Sequence, residues 1–447
     1  MRTTSGDILG QLHQQAKEEC DVIGIYMLHR PFLLVRNPEL IKKILIKDFH
    51  IFPNRYFSAN SADQVGCTNL FTIDNPEWKY LRVKMSPVLT SGKVKRLFEL
   101  MVESSKSMDE FLQNQFKEGS KTRSIEIKDS LSKYTNDVIS SLAFGVRSNS
   151  FSDPVPEFYT KSQEGLKLTF LRGLRFFCMF FFPSFSKYVG GQMLGPSTDY
   201  FRKVFWDSMN TREATKEKRG DLIDSLLELK NEKQDSDFKF EGDVLLAQSA
   251  VFFIAGRETS ISTMTFALYE LAKHPDIQTR VREEILEKIK PGEITYEAVQ
   301  DLKYLNQVIS ETMRLYPAAP IIDRVSIEDY KIPGTNMVIE KGVPVYVSLN
   351  GIHCDARYHP DPYKFDPDRF SDERKNDIKQ CSYMPFGDGP RLCIGMRVGM
   401  LLTMVGLITV LSNYKVSLHP RHTHVIDPRS VFTTPPEGFI LNLTKIS

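Results

Sequence analysis

Residues 384–411 read MPFGDGPRLCIGMRVGMLLTMVGLITVL, and the two halves of that stretch ask for different structures. The first half carries Pro385, Gly387, Gly389, Pro390 and Gly395 within eleven positions. Such a density marks backbone that turns sharply or lets something approach closely. A single thiol, Cys393, sits in its midst. Beyond it come small and apolar residues (Met400, Leu401, Met404, Val405, Ile408), which suit a buried helix. Cys393 is therefore expected at or just before a helix N-terminus, beside backbone N–H groups with no intrahelical partner. That placement lowers a thiol's pKa and favours the thiolate, the form that binds metals. A lone cysteine without such surroundings is more often an inert core thiol than a ligand.

Phe386, Gly387, Gly389, Arg391, Cys393 and Gly395 together fit F-x-x-G-x-R-x-C-x-G. The pattern resembles the haem-binding loop of the cytochrome P450 family, in which a Cys thiolate holds the iron. The resemblance implies Cys393 as the metal ligand, in a bulge whose backbone N–H groups point at the sulfur and which includes Gly395. It implies Phe386 packed under the macrocycle and Arg391 on a haem propionate. The fold it implies is mainly α with small β-sheets, as one catalytic domain over residues 1–447. Haem would lie between a long central helix and the helix after the Cys loop.

Three further stretches join this reading. In Asn75-Pro76-Glu77-Trp78-Lys79-Tyr80-Leu81-Arg82, Asn75 can cap and Pro76 can start a helix with Trp78 and Arg82 on one face. Alone this is an exposed cation–π or packing pair; it also resembles the family's W-x-x-x-R, whose Trp and Arg bind a propionate. Residues 243–273 form the longest helical candidate, apolar nearly all round from Val244 to Ala255 and so expected to be buried. Ala255-Gly256-Arg257-Glu258-Thr259 then breaks that helix's own rule, as functional sites tend to do. It resembles the family's A-G-x-[ED]-T, which implies room for dioxygen beside Ala255 and a proton relay through Glu258 and Thr259. Thr259 can also bond back one turn and open the helix. Arg257 is a departure, because apolar or aromatic residues are commoner there. Glu311 and Arg314 share a helix face at i, i+3; with Phe365–Phe370 they resemble the family's structural triad Glu311, Arg314 and Arg369. Arg324 matches a further propionate position, and residues 318–323 are expected to line the substrate cavity.

Elsewhere the chain reads as scaffold. Residues 22–36 suggest a hairpin around Arg30-Pro31, Asn37-Pro38 a capped short helix, 330–349 a small sheet, and 414–443 a terminal hairpin with its tip, Phe432 to Pro436, over the cavity. His353 and His359 have no partners at metal-ligand spacing and read as turn residues. Residues 168–185 hold seven phenylalanines with only Arg172 and Arg175 charged. They read as a buried helix or, through the resemblance, as a membrane contact or channel lid. Residues 211–243 read as charged surface connection.

Composition is ordinary: 447 residues, 58 basic against 56 acidic, net charge +2, with nothing that suggests nucleic acid. Six scattered cysteines fit a reducing compartment better than a disulfide scaffold. The N-terminal twenty residues lack an apolar core for a signal peptide or anchor, and no run of about twenty apolar residues is expected to span a bilayer. The resemblance covers about residues 24 to 443 and is nearest to insect microsomal members. It implies a monooxygenase carrying haem b, taking O₂ and a lipophilic small molecule. Electrons would come from NADPH through cytochrome P450 reductase, with cytochrome b5 a further candidate donor, and Lys84, Lys93, Lys95 and Arg96 as a docking patch. The expected location is the cytoplasmic face of the endoplasmic reticulum membrane, or the cytosol if the chain truly begins at Met1. Two other readings are a haem-binding sequestration protein without turnover and a haem-thiolate isomerase or dehydratase. The intact acid–alcohol pair argues against the second.

Overall fold

The computed structural model describes every residue except 1–3, 29, 118, 233–238, 291, 422–424 and 447. Its axis is one unbroken helix of 31 residues, Asp243–Lys273. Apolar side chains circle this central helix, so it can only be stable with neighbours on every side. Helices Ile127–Phe144, Lys303–Leu315 and Met396–Asn413 pack against it, and their buried residues form one large core. The central helix and Met396–Asn413 are both long and apolar enough to cross a membrane, contrary to the expectation from the sequence. In each, 67% of the apolar window lies inside the protein. Their hydrophobicity serves the core.

The described strands are β1 (Val22–Met27), β2 (Arg30–Val35), β3 (Thr122–Glu126), β4 (Ile321–Val325), β5 (Tyr330–Lys331), β6 (Val338–Ile339), β7 (Pro344–Ser348), β8 (Tyr414–Leu418) and β9 (Ile440–Lys445). They form sheets of order β1-β2-β7-β4, β3-β9-β8 and β5-β6. The architecture is thus mainly helical with small sheets, as the sequence suggested. The first hairpin pairs Met27 with Arg30, so its turn comes before Arg30-Pro31. Asn37 caps as expected, its Oδ1 accepting from the Glu39 and Leu40 N–H groups at 2.8 and 3.3 Å. The helix it starts, Pro38–Lys42, then widens into a π-helical turn, Lys43–Lys47. Asn75 does not cap: the next helix runs Glu77–Met85, flanked by Pro76 with no side-chain cap bond.

The long helix Lys303–Leu315 carries the Glu311–Arg314 pair into the interior. Arg314 donates to Glu311 through Nε at 2.7 Å and Nη2 at 2.8 Å, with both side chains wholly buried. The Asp366 N–H adds a bond to Glu311 at 2.9 Å. Arg369 stands further off, Nε 3.7 Å from Glu311 Oε2, an ion-pair contact without a hydrogen bond. Arg369 Nε is itself buried without a hydrogen-bond partner. His353 and His359, read from the sequence as turn residues, are buried pegs. His353 closes the helix Leu349–His353, and its Nε2 accepts from the Met384 N–H at 2.9 Å. His359 Nε2 meets the Ser382 carbonyl at 2.9 Å. Burial pushes their pKa values down, to about 3 and about 4, so both act as neutral rings.

Glu311→Ala would leave a buried guanidinium without its anion. Breaking such a pair costs on the order of 3–5 kcal/mol, a large share of ordinary domain stability. Purification of the variant should yield little folded protein; normal yield and an unchanged melting temperature would contradict the structural role.

Candidate functional site

A cavity of about 450 Å³ opens between the central helix and the loop that precedes Met396–Asn413. The loop is shaped by glycine. Gly387 and Gly389 take φ of +75° and +73°, and a Cβ on Gly389 would lie 2.0 Å from the Leu45 carbonyl oxygen. Only glycine fits there. The reversal lets the Cys393 N–H donate to the Phe386 carbonyl at 3.0 Å. Gly395 has an ordinary φ of −93°; a Cβ there would meet nothing, because it borders the cavity.

Cys393 lies just before the helix that begins at Met396, as expected. It is exposed by accessible area, but that surface faces the enclosed cavity rather than bulk water. The expected lowering of its pKa does not occur in the protein alone. Burial pushes the thiol up, outweighing the Gly395 N–H and the positive charges of Arg82 and Arg55. A bound metal cation would reverse that balance, since a coordinating thiol is deprotonated outright.

Six arginines line the cavity, and besides Arg172 and Arg175 they are Arg55, Arg82, Arg324 and Arg391. Arg55 acts on both Arg324 and Arg391, and Arg55 and Arg82 both act on the Cys393 thiol. Arg391 donates to the Pro53 and Ile73 carbonyls at 2.7 and 3.1 Å and lies 4.4 Å over the Trp78 ring. Arg324, on β4, donates to the Asp323 carbonyl at 2.7 Å, while its buried Nε has no partner. Arg55 pairs with the Asp323 carboxylate at 2.9 Å and lies 4.0 Å over Phe71. Burial, then Arg55 and Arg324, push Arg391 down to about 8; burial and Arg55 push Arg324 to about 9. Burial also lowers Arg82. The nearby carboxylates are Asp323 and Asp74, so the four cations are short of negative charge.

Ala255 and Thr259 of the central helix face the cavity, and Glu258 borders it. Thr259 Oγ1 donates to the Ala255 carbonyl at 2.7 Å. The expected local opening is absent, and the helix stays α-helical through this turn. Gly256 borders the cavity too, and a Cβ there would sit 3.0 Å from Ile139 Cδ1, so glycine also lets the two helices approach. Arg257 turns away from the cavity and is 2% exposed. It pairs with Glu258 and lies 3.3 Å from Ser132 Oγ.

Ala318, Ala319, Ile321 and Ile322 line the cavity, but Pro320 and Asp323 do not. Asp323 is turned instead toward Arg55 and the Phe57 N–H. The phenylalanine-rich stretch is the helix Phe170–Phe181, and it is two-faced. Phe176, Met179 and Phe180 face the cavity, whereas Phe170, Leu171, Leu174 and Phe177 are exposed outward, with Phe185 and Tyr188 beyond. Phe432, Thr433 and Thr434 of the terminal hairpin line the cavity as expected; Pro435 and Pro436 do not. In the basic run, Lys84 and Lys95 are paired with Glu232 and Glu297.

Thus Cys393, Phe386, Arg391, Gly395, Trp78, Arg82, Arg324, Ala255, Glu258 and Thr259 all border one cavity, while Glu311, Arg314 and Arg369 do not. Arg55 joins them without having been singled out from the sequence. It sits in a loop with no periodicity to announce it. Residues 211–243, read as surface connection, also hide a buried pair, Arg212 with Asp221 at 2.9 Å.

The cytochrome P450 family model matches residues 2–443. Cytochrome P450 6k1 of Blattella germanica is 41% identical over 436 residues, covering 93% of this chain and 82% of the relative. Cytochrome P450 6j1 of the same insect is 36% identical, with coverage of 95% and 85%. Cytochrome P450 6a8 of Drosophila melanogaster is 37% identical, with coverage of 95% and 86%. The family's cofactor is haem b, a flat macrocycle bearing two propionates and an iron. A thiol in the cavity, an arginine cluster short of negative charge and the open space beside Gly395 fit its three parts. The chain belongs to the cytochrome P450 family of haem-thiolate monooxygenases.

Proposed function

We propose that this protein is an NADPH-driven monooxygenase of lipophilic small molecules, working as a single catalytic domain with Cys393 as the iron ligand. The observation that carries the reading is the shared cavity, with one thiol, six arginines and a largely apolar lining. Arg82, Arg324 and Arg391, joined by Arg55, would hold the propionates, with Trp78 stacked beneath Arg391. Phe386 and Gly395 would flank the macrocycle. Bound haem supplies the activation of O₂, which a thiolate donor favours by pushing electron density toward O–O cleavage.

The chain's own residues supply binding and protons. Ile321, Ile322, Phe176 and Phe180 present apolar surface to the substrate and exclude water. Ala255 leaves space beside Thr259. The Thr259 hydroxyl, now donating to the Ala255 carbonyl, has lone pairs free to accept a proton bond and can pass one into the cavity. Glu258 is the nearby carboxylate able to resupply it. Each turnover consumes one substrate molecule, NADPH, a proton and O₂ and yields hydroxylated product, NADP⁺ and water.

Electrons would arrive from NADPH–cytochrome P450 reductase, with cytochrome b5 as a second donor, at the basic surface that includes Lys93 and Arg96. The outward face of Phe170–Phe181 offers exposed apolar side chains to a membrane surface. That fits the cytoplasmic face of the endoplasmic reticulum.

Reconstitution of the haem-loaded protein with reductase, NADPH and a panel of lipophilic compounds tests the function. Product formation that tracks NADPH oxidation is expected; tight compound binding with neither would instead make the protein a sequestering one.

Thr259→Ala tests the proton assignment. NADPH oxidation should persist while product falls and hydrogen peroxide or excess water rises. Loss of a positioned proton-transfer group typically costs about 10²–10⁴-fold in its step, and substituting water would soften that. Full coupling in a haem-replete Thr259→Ala enzyme would remove Thr259 from the chemistry.

A further inference from the structure

Arg257 is the one polar residue of the Ala255–Thr259 turn that the proposed chemistry leaves without a task. It is also an expensive residue to keep: a guanidinium 2% exposed inside the protein, with its Nε lacking any partner. Successive residues on an α-helix project about 100° apart, so neighbours do not ordinarily face one another. Arg257 nonetheless reaches Glu258 with Nη1 while Nη2 lies 3.3 Å from Ser132 Oγ on the helix Ile127–Phe144. The side chain is folded along the helix surface and held there by the neighbouring helix.

Glu258 has two other cations near it, from two other elements. Lys128 and Arg172 both feel its charge. Each is anchored elsewhere: Lys128 Nζ donates to the Pro435 carbonyl at 2.8 Å, and Arg172 to the Gly165 and Met193 carbonyls. Neither makes a salt bridge to Glu258 among the described residues. Arg257 is the cation in direct contact, and the carboxylate it holds is 32% exposed where it borders the cavity.

We propose that Arg257 is a positioning residue, a brace between Ser132 and Glu258 that keeps the Glu258 carboxylate at the cavity edge, next to Thr259. Without it the carboxylate is free to swing toward Lys128 and Arg172, away from the hydroxyl it serves. This rests on the proton-delivery reading of Glu258, and the test separates the two.

Arg257→Met keeps an unbranched apolar stem and removes the charge; Arg257→Lys keeps the charge; Glu258→Gln removes the carboxylate. Haem content, thermal unfolding of the holoprotein and product formed per NADPH are measured on each. In Arg257→Met, product per NADPH should fall about tenfold, since displacements near 1 Å cost up to about 10²-fold, with haem content kept. Arg257→Lys should recover most of the coupling. Arg257→Met and Glu258→Gln should be non-additive in both coupling and melting temperature, as contacting partners are. If Glu258→Gln uncouples the enzyme but Arg257→Met does not, the brace is overturned and the delivery reading stands. If Glu258→Gln stays fully coupled, the delivery reading falls and the brace with it. Haem loss in both Arg257 variants would make Arg257 a folding residue and overturn the proposal.

Discussion

Four guanidiniums held largely out of water around one cavity are the arrangement on which the rest of this structure depends. Burial costs a charged group several kcal/mol unless it is paired and hydrogen-bonded. Here Arg391 is pushed down to about 8 and Arg324 to about 9 by that burial and then by the charge of Arg55 beside both. The same desolvation raises the Cys393 thiol. Two opposite penalties, cations short of anions and a thiol short of a cation, are relieved together by a ligand that carries carboxylates and a metal. Haem b is such a ligand. Its binding energy is then also folding energy, because anything that binds only the native state stabilises it.

The scaffold around the cavity answers to that demand for rigidity. The central helix is apolar nearly all round and packs against helices on several sides, so the turn carrying Ala255 and Thr259 is fixed by the core. Arg314, Glu311 and the Asp366 N–H form a buried knot that ties the helix Lys303–Leu315 to the segment before the Cys loop. Gly389 packs that loop onto the Leu45 carbonyl. The phenylalanine-rich helix has one face on the cavity and the other exposed. The cavity is thus walled by the packed core on one side and by a single half-exposed helix on another.

What the sequence made legible follows from how local each signal is. The Cys loop, the central helix, Asn37 as a cap and the Glu311–Arg314 pair are written in neighbouring residues, and all appear in the structure. Three features depend on contacts distant in sequence. Strand β3 has weak alternation and exists because it pairs with β9, far along the chain. Arg55 joins the cavity from an irregular loop, where no spacing marks it. Arg369, from a turn far along the chain, stays 3.7 Å from Glu311 without a hydrogen bond. The Cys393 thiol pKa lies higher than its place before a helix suggests for a related reason: a helix N-terminus is visible in sequence, whereas desolvation by burial is not. Asn75 had the residue type of a cap, yet the helix starts one residue later than that role allows.

The central claim is that the Cys393 thiolate binds the haem iron in this cavity. The absorption spectrum of the reduced, carbon monoxide-bound holoprotein tests it directly, comparing wild type with Cys393→Ser at equal haem content. A strongly red-shifted Soret band in wild type, absent from the variant, is the expected result. A wild type without that band, or a Cys393→Ser protein that keeps it, would contradict the assignment.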